Sequence, residues 1–160
     1  MFFSLAAKSY IKLLSIIQNK KATINIQNEG NKYFMYCLGR ALDKIPENCK
    51  LERVSKHLIM VCVELGLDQI KMSVTLKDIS KIEKDFNINI IVFGHEGGDI
   101  YPLDKVKEFS GKETVNLSFT SNGETNHYVW IKDFNKLCSK IIKYEKKKHI
   151  CINLYTKFLE

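Results

Sequence analysis

The chain is expected to fold as an α+β domain, with N-terminal helices followed by a small, mostly antiparallel sheet. Three observations point there. Apolar residues recur at helical spacing from Leu5 to Phe86. From Ile88 onward they run in short β-branched and aromatic stretches, broken by Gly, Asn and Pro. The chain has 160 residues, 45% hydrophobic and 11% aromatic, which suits one domain with a substantial core. Segregated runs of helix and strand are the pattern of α+β architecture.

In order, the first expected element is a helix from about Ala7 to Gln18, with Leu5, Tyr10, Leu13, Leu14 and Ile17 along one face. Such a face also suits a membrane surface. Thr23-Ile24-Asn25-Ile26 alternates and reads as a short strand. Asn28-Glu29-Gly30-Asn31 is a turn with Asn31 as N-cap, opening a helix from about Lys32 to Lys44. Its apolar stripe is Phe34, Cys37, Leu38, Ala41 and Leu42. Glu52 to Leu65 reads as a second helix, with Val54, Leu58, Val61 and Cys62 on one side and Gly66 as its stop. Ile79, Ile82 and Phe86 place a third over Leu76 to Phe86.

Strands are expected at Ile88–Phe93, Asp99–Leu103, Thr114–Phe119 and His127–Ile131, with Gly94 to Gly98 as a hairpin loop. That loop has no G-K-[ST] and joins two strands, so it is neither a P-loop nor a dinucleotide fingerprint. From Asp133 the tail reads as helical to about Tyr144.

Charge and cysteines narrow the function classes. Seven lysines against two acids between Lys132 and His149 carry +5 of the formal +7, so the basicity belongs to one segment. A solvated helix face explains it, and a nucleic-acid contact through Lys136, Lys140, Lys143, Lys146, Lys147 and Lys148 is the functional alternative. Cys37, Cys49, Cys62, Cys138 and Cys151 are odd in number and have no C-x-x-C spacing. Reduced thiols and an intracellular setting, cytoplasmic or nuclear, fit this better than a disulfide framework. The apolar start is interrupted by Lys8 and Lys12 and falls short of the about 20 residues a spanning helix needs, so no membrane span is expected.

One constellation suggests chemistry. A Gly-Asn turn leads into a buried helix, and His127 opens a late strand. A nucleophile at a helix N-terminus, where the dipole lowers a thiol's pKa, beside a histidine base is the plan of a cysteine peptidase. Glu29-Gly30-Asn31-Lys32-Tyr33-Phe34 resembles the D-G-N-C-L-F active-site turn of the ovarian-tumour-type branch of papain-like peptidases. His127-Tyr128 resembles that family's strand-opening H-Y pair, and the likeness covers roughly Ile24 to Ile131.

A closer resemblance, over nearly the whole chain, is to a region upstream of the protein-primed DNA polymerase in Maverick or Polinton elements, which are virus-like DNA transposons. It rests on Lys21–Asn28, Asn31-Lys32-Tyr33-Phe34, Ile79–Glu83, Ile88–Phe93, Ile100–Leu103 and His127–Lys132.

Departures from both patterns shape the expectation. Tyr33 stands at the nucleophile's place, where the mobile-element pattern reads N-K-C-F. Its ordinary pKa is about 10, and its oxygen lies well beyond a thiol's position. Thr23 also stands where the pattern has a cysteine. Downstream the pattern's C-x-x-C pair is reduced to Cys151 with Leu154; Cys151 and His149 fall short of the about four ligands of a structural zinc site. No metal or cofactor is expected.

The resemblance therefore implies a single peptidase-like domain over 1–131, including an N-terminal helix in 1–20, and a basic helical tail with a degraded zinc-finger-like remnant over 132–160. It implies a catalytically inactive, transposon-derived domain that binds a protein, ubiquitin-like or element-encoded, or nucleic acid through the tail. Two alternatives stand beside it. One is a residual cysteine peptidase or deubiquitinase using Cys37, one turn beyond Tyr33, with His127. The other is a nucleic-acid-binding accessory fragment of the transposon polymerase. A decayed copy that still folds is a further reading.

Overall fold

A computed structural model describes residues 21–28, 30–48, 50–96, 99–103, 112–121 and 126–138. In chain order these form β1 (Thr23–Ile24), α1 (Tyr33–Leu42), α2 (Lys56–Glu64), α3 (Ile79–Phe86), β2 (Asn89–Glu96), β3 (Asp99–Pro102), β4 (Thr114–Ser121), β5 (Asn126–Ile131) and α4 (Phe134–Cys138). The fold is a mixture of helices and one five-stranded sheet in the order β1-β5-β4-β2-β3. Only β2 and β4 pair in parallel among the described strands, with Ile90 opposite Val115 and Val92 opposite Leu117. The helix expected over Ala7 to Gln18, and the tail beyond Cys138, lie outside the described residues.

The strand pattern follows from burial on both sides of the sheet. Ile90 and Val92 of β2 join Val115, Leu117 and Tyr128 in one apolar cluster, which α1 covers with Phe34, Cys37 and Leu38. Ile91 and Phe93 face the other way, against Val129, Ile131, Phe134 and Leu137. A strand covered on both faces has no polar side to present, so its sequence reads as an unbroken apolar run. Edge-on aromatic contacts tie the layers, with the Phe34 and Tyr128 ring centroids 5.0 Å apart at 80°.

Helix ends differ from expectation in two places. Asn31 is not the N-cap of α1. Lys32 holds that place without a side-chain cap, and its carbonyl accepts from Tyr36 N at 3.1 Å. α2 begins at Lys56 instead of Glu52, because Glu52 and Arg53 are drawn into a bridge with Gln27, whose N donates to Glu52 O at 2.7 Å. Ser55 then caps α2, its Oγ accepting from Leu58 N at 3.0 Å. Gly66 ends this segment in the left-handed region at φ 72°, as expected of a glycine stop. The third helix opens as a 3-10 turn over Leu76–Asp78 before becoming α-helical at Ile79, and a reciprocal Thr75–Asp78 capping box holds the turn.

The loop expected at Gly94 to Gly98 is shorter, because β2 continues to Glu96 and pairs with Asp99. Gly94 lies opposite Tyr101. A Cβ there would come within 2.8 Å of Leu103 Cδ2 and 3.1 Å of Tyr101 Cζ, so this glycine gives room for side chains lying across the strand.

Candidate functional site

Two segments far apart in sequence meet at the start of α1. The β1–β5 register sets Thr23 opposite Ile131 and Ile24 opposite Trp130. β1 ends at Ile24, and Asn25 follows it directly. His127 Nε2 lies 2.8 Å from Asn25 Oδ1. Both residues are buried, His127 at 1% exposure. With Asn25 Oδ1 as acceptor, Nε2 carries the ring proton and Nδ1 the lone pair.

Tyr33, the first residue of α1, sets its ring against this histidine, with centroids 4.3 Å apart at 67°. Its hydroxyl donates to Asn28 O at 2.7 Å, and Asn28 Nδ2 donates to Gly30 O at 3.1 Å. The Asn28–Asn31 turn thus fixes the tyrosine as it enters the helix. Tyr33 is 1% exposed, so its ring closes the histidine off from solvent.

Cys37 is elsewhere. It is fully buried, and its Sγ donates to the Tyr128 carbonyl at 3.5 Å rather than to the His127 ring. Burial pushes its thiol pKa up, away from the thiolate a nucleophile needs. Cys62 is also a core thiol, raised to about 11 by burial. Both cysteines are free.

A groove of about 80 Å³ runs beside Tyr33. Asn31 and Tyr33 form one wall, Met72 and Ser73 a second, and Asn126 and Tyr128 a third. The second wall is anchored on both sides. Tyr128 Oη donates to Val74 O at 2.9 Å, and Lys71 Nζ lies 2.8 Å from Asp78 Oδ2 within the Thr75 capping box. Burial raises the Tyr128 phenol pKa, so Tyr128 stays a donor.

On the far side of α1, Arg40 is 3% exposed and bonds Leu51 O, Arg53 O and Glu47 Oε2 at 3.1, 2.8 and 2.7 Å. Glu47 also accepts from Ser55 Oγ at 2.6 Å. The Ser55 and Arg40 hydrogen bonds lower its pKa. This fork fixes α1 against the segment leading into α2.

Of the nucleic-acid candidates, Lys136 is exposed on α4, whose start is capped by Asp133 Oδ1 accepting from Lys136 N at 2.9 Å. Lys140, Lys143, Lys146, Lys147 and Lys148 lie outside the described residues, as do Cys151 and His149. Among the described residues, no group of three or more His, Cys, Asp or Glu could hold a metal, and no helix is long and apolar enough to cross a membrane.

Asn25 and Arg40 were not anticipated as site or scaffold residues. The one local signal for Asn25 is a polar residue set between Ile24 and Ile26 in a short apolar strand.

The chain matches no protein-family model, no curated protein and no solved structure. Fold and site together define an α+β domain whose central helix presents an aromatic residue, not a thiol, to a buried histidine–asparagine pair.

Proposed function

We propose that this is a catalytically inactive cysteine-peptidase-like domain that binds an extended peptide segment in the groove beside Tyr33. The observation that carries the reading is the Tyr33–His127 ring contact at 4.3 Å, with a phenol where a peptidase would need a thiol. A buried phenol whose hydroxyl is committed to Asn28 O has no acyl-accepting role. Cys37 offers no substitute, since its sulfur is turned to a backbone carbonyl inside the core. Asn31, Ser73 and Asn126 bring polar groups to the lining of the groove, which suits hydrogen bonding to an extended chain. On the stretches quoted above, descent from a Maverick or Polinton element accounts for the inactive site, and the bound segment is the tail of a ubiquitin-like or element-encoded protein.

A ubiquitin-like probe carrying a thiol-reactive electrophile at its C-terminus tests this. The expected result is no covalent adduct, with reversible shifts of the Met72, Ser73 and Asn126 amide signals on adding the unreactive tail peptide. A covalent adduct on Cys37, lost in Cys37→Ala, would return the protein to the active peptidases.

A further inference from the structure

The helix α2 is apolar on two sides. Leu58, Val61 and Cys62 are buried in the core, while Ile59, Met60 and Val63 are 46, 59 and 57% exposed. A surface helix ordinarily turns a polar side to water, and an apolar patch left there marks an interaction surface. Residues three and four apart are neighbours on a helix, so Lys56, Ile59, Met60, Val63 and Glu64 form one continuous stripe, with Met60 midway between the two charges. The Asp43 carboxylate accepts from Ile45 N and meets His57 Nε2 at 2.8 Å, which sets the exposed Ile45 beside the first turn of the same helix.

The end charges are the reverse of what the helix itself favours. A helix dipole stabilises anions at the N-terminus and cations at the C-terminus. α2 has no acid in its first turn and no base in its last; it carries Lys56 at its start and Glu64 at its end. Both are exposed, and among the described residues neither has an ion-pair partner. A second α2 running antiparallel supplies the missing complement at both ends.

We propose that the Ile59-Met60-Val63 face of α2 docks on the same face of a second copy of this chain, with the two helices antiparallel. A two-fold axis at Met60 sets each Lys56 against the partner's Glu64. The contact is isologous, so this one charge pair is made twice. Methionine side chains adapt to one another's shape, which suits the residue that meets its own copy on the axis. The groove beside Tyr33 takes no residue from α2, so self-association and peptide binding stand or fall separately.

Sedimentation velocity of the full chain tests this. A nine-residue helix offers a small interface, so a reversible rise from the mass of one chain toward that of two is expected between about 10 μM and about 1 mM. Met60→Glu sets two carboxylates at the axis and should raise the dimer Kd about tenfold or more. Because Met60 is exposed, its melting temperature at low concentration should match that of the natural chain. Lys56→Glu and Glu64→Lys each bring like charges together in their own dimers, and each should weaken assembly severalfold. Both changes suit the helix dipole, so neither threatens the fold. Mixed in equal amounts, these two variants restore both charge pairs, and a heterodimer tighter than either homodimer is expected.

A chain that stays monomeric to about 1 mM overturns the proposal. So does a dimer untouched by Met60→Glu, or a monomer whose α2 face binds vesicles of anionic lipid instead. A mixture that assembles no more tightly than the single variants overturns the antiparallel pairing.

Discussion

His127 and Asn25 stand 102 residues apart in sequence and 2.8 Å apart in space, and their contact pins the short strand β1 to β5 at the end of the sheet. Removing the amide leaves a buried ring nitrogen without its acceptor, which costs about 1–3 kcal/mol. Asn25→Ala is therefore expected to lower stability by that amount in urea unfolding. Equal stability of Asn25→Ala and the natural chain would mean that the contact is not formed in solution.

Arg40 is a buried cation whose loss carries a large stability cost. Its guanidinium is buried and spans three acceptors, Leu51 O, Arg53 O and Glu47 Oε2. Arg40→Ala strands the Leu51 and Arg53 carbonyls while Glu47 keeps Ser55 Oγ, so a loss of about 1–3 kcal/mol for each stranded carbonyl is expected. Arg40→Lys should recover little, because a single ammonium cannot span the three acceptors. Glu47→Gln keeps the Ser55 contact and should cost less than Arg40→Ala. Chemical unfolding of the three variants checks the order.

The Lys71–Asp78 pair beside the groove adds a pH-dependent term. The Lys71 and Thr75 hydrogen bonds hold the Asp78 carboxyl down to about 2, below its unfolded value of about 3.9. A depressed carboxylate contributes stability above the unfolded pKa, and that contribution is lost as pH falls through the folded one. The pair is solvent-exposed and screened, so the effect stays below about 1 kcal/mol. Asp78→Asn keeps an acceptor for Thr75 but removes the charge. Its deficit against the natural chain should be full at about pH 5, shrink through about pH 4 to 2 and vanish only below about pH 2.

Much of the fold was legible because its signals are local. The unbroken Ile90–Phe93 run, the Gly66 stop and the helical spacing of Phe34, Cys37 and Leu38 each depend on neighbours within a turn or a strand. What was not legible depends on distant segments. The start of α2 is set by Gln27 reaching Glu52, and the length of β2 by Leu103 and Tyr101 lying across Gly94. The approach of Tyr33 to His127 was expected from the resemblance of their two short motifs, but Asn25 was not, since its role appears only once β1 is in register with β5. Cys37 illustrates the limit of helical spacing. One turn beyond Tyr33 it keeps the direction of that side chain but sits deeper, where its sulfur meets the Tyr128 carbonyl.

The core thiols supply a further check. Cys37 is fully buried and Cys62 is 1% exposed, and burial raises both pKa values. Their alkylation must wait for an opening of the core, so both should react at least on the order of 100-fold more slowly in buffer than in denaturant. Peptide mapping after a timed iodoacetamide pulse reads each site. Rapid native labelling of Cys37 would place its sulfur at an accessible surface.

The packing of α1 on α2 turns on the absence of a side chain at Gly39. A Cβ at that position would meet Cys62 Sγ at 2.6 Å and Leu58 Cδ1 at 3.0 Å, so the two helices approach at a glycine. Alanine in a helix interior is favoured over glycine by up to about 1 kcal/mol. Overpacking a filled core costs about 1–3 kcal/mol, and here the close atoms belong to buried side chains of the facing helix. Gly39→Ala is therefore expected to be net destabilising. Cys62→Ala removes the closest atom and leaves a small void. The double variant should be more stable than the sum of the two single losses predicts, with a coupling of about 0.5–3 kcal/mol in urea unfolding. Additive losses would mean that α2 shifts away from α1 when the methyl is added, instead of holding its sulfur against it.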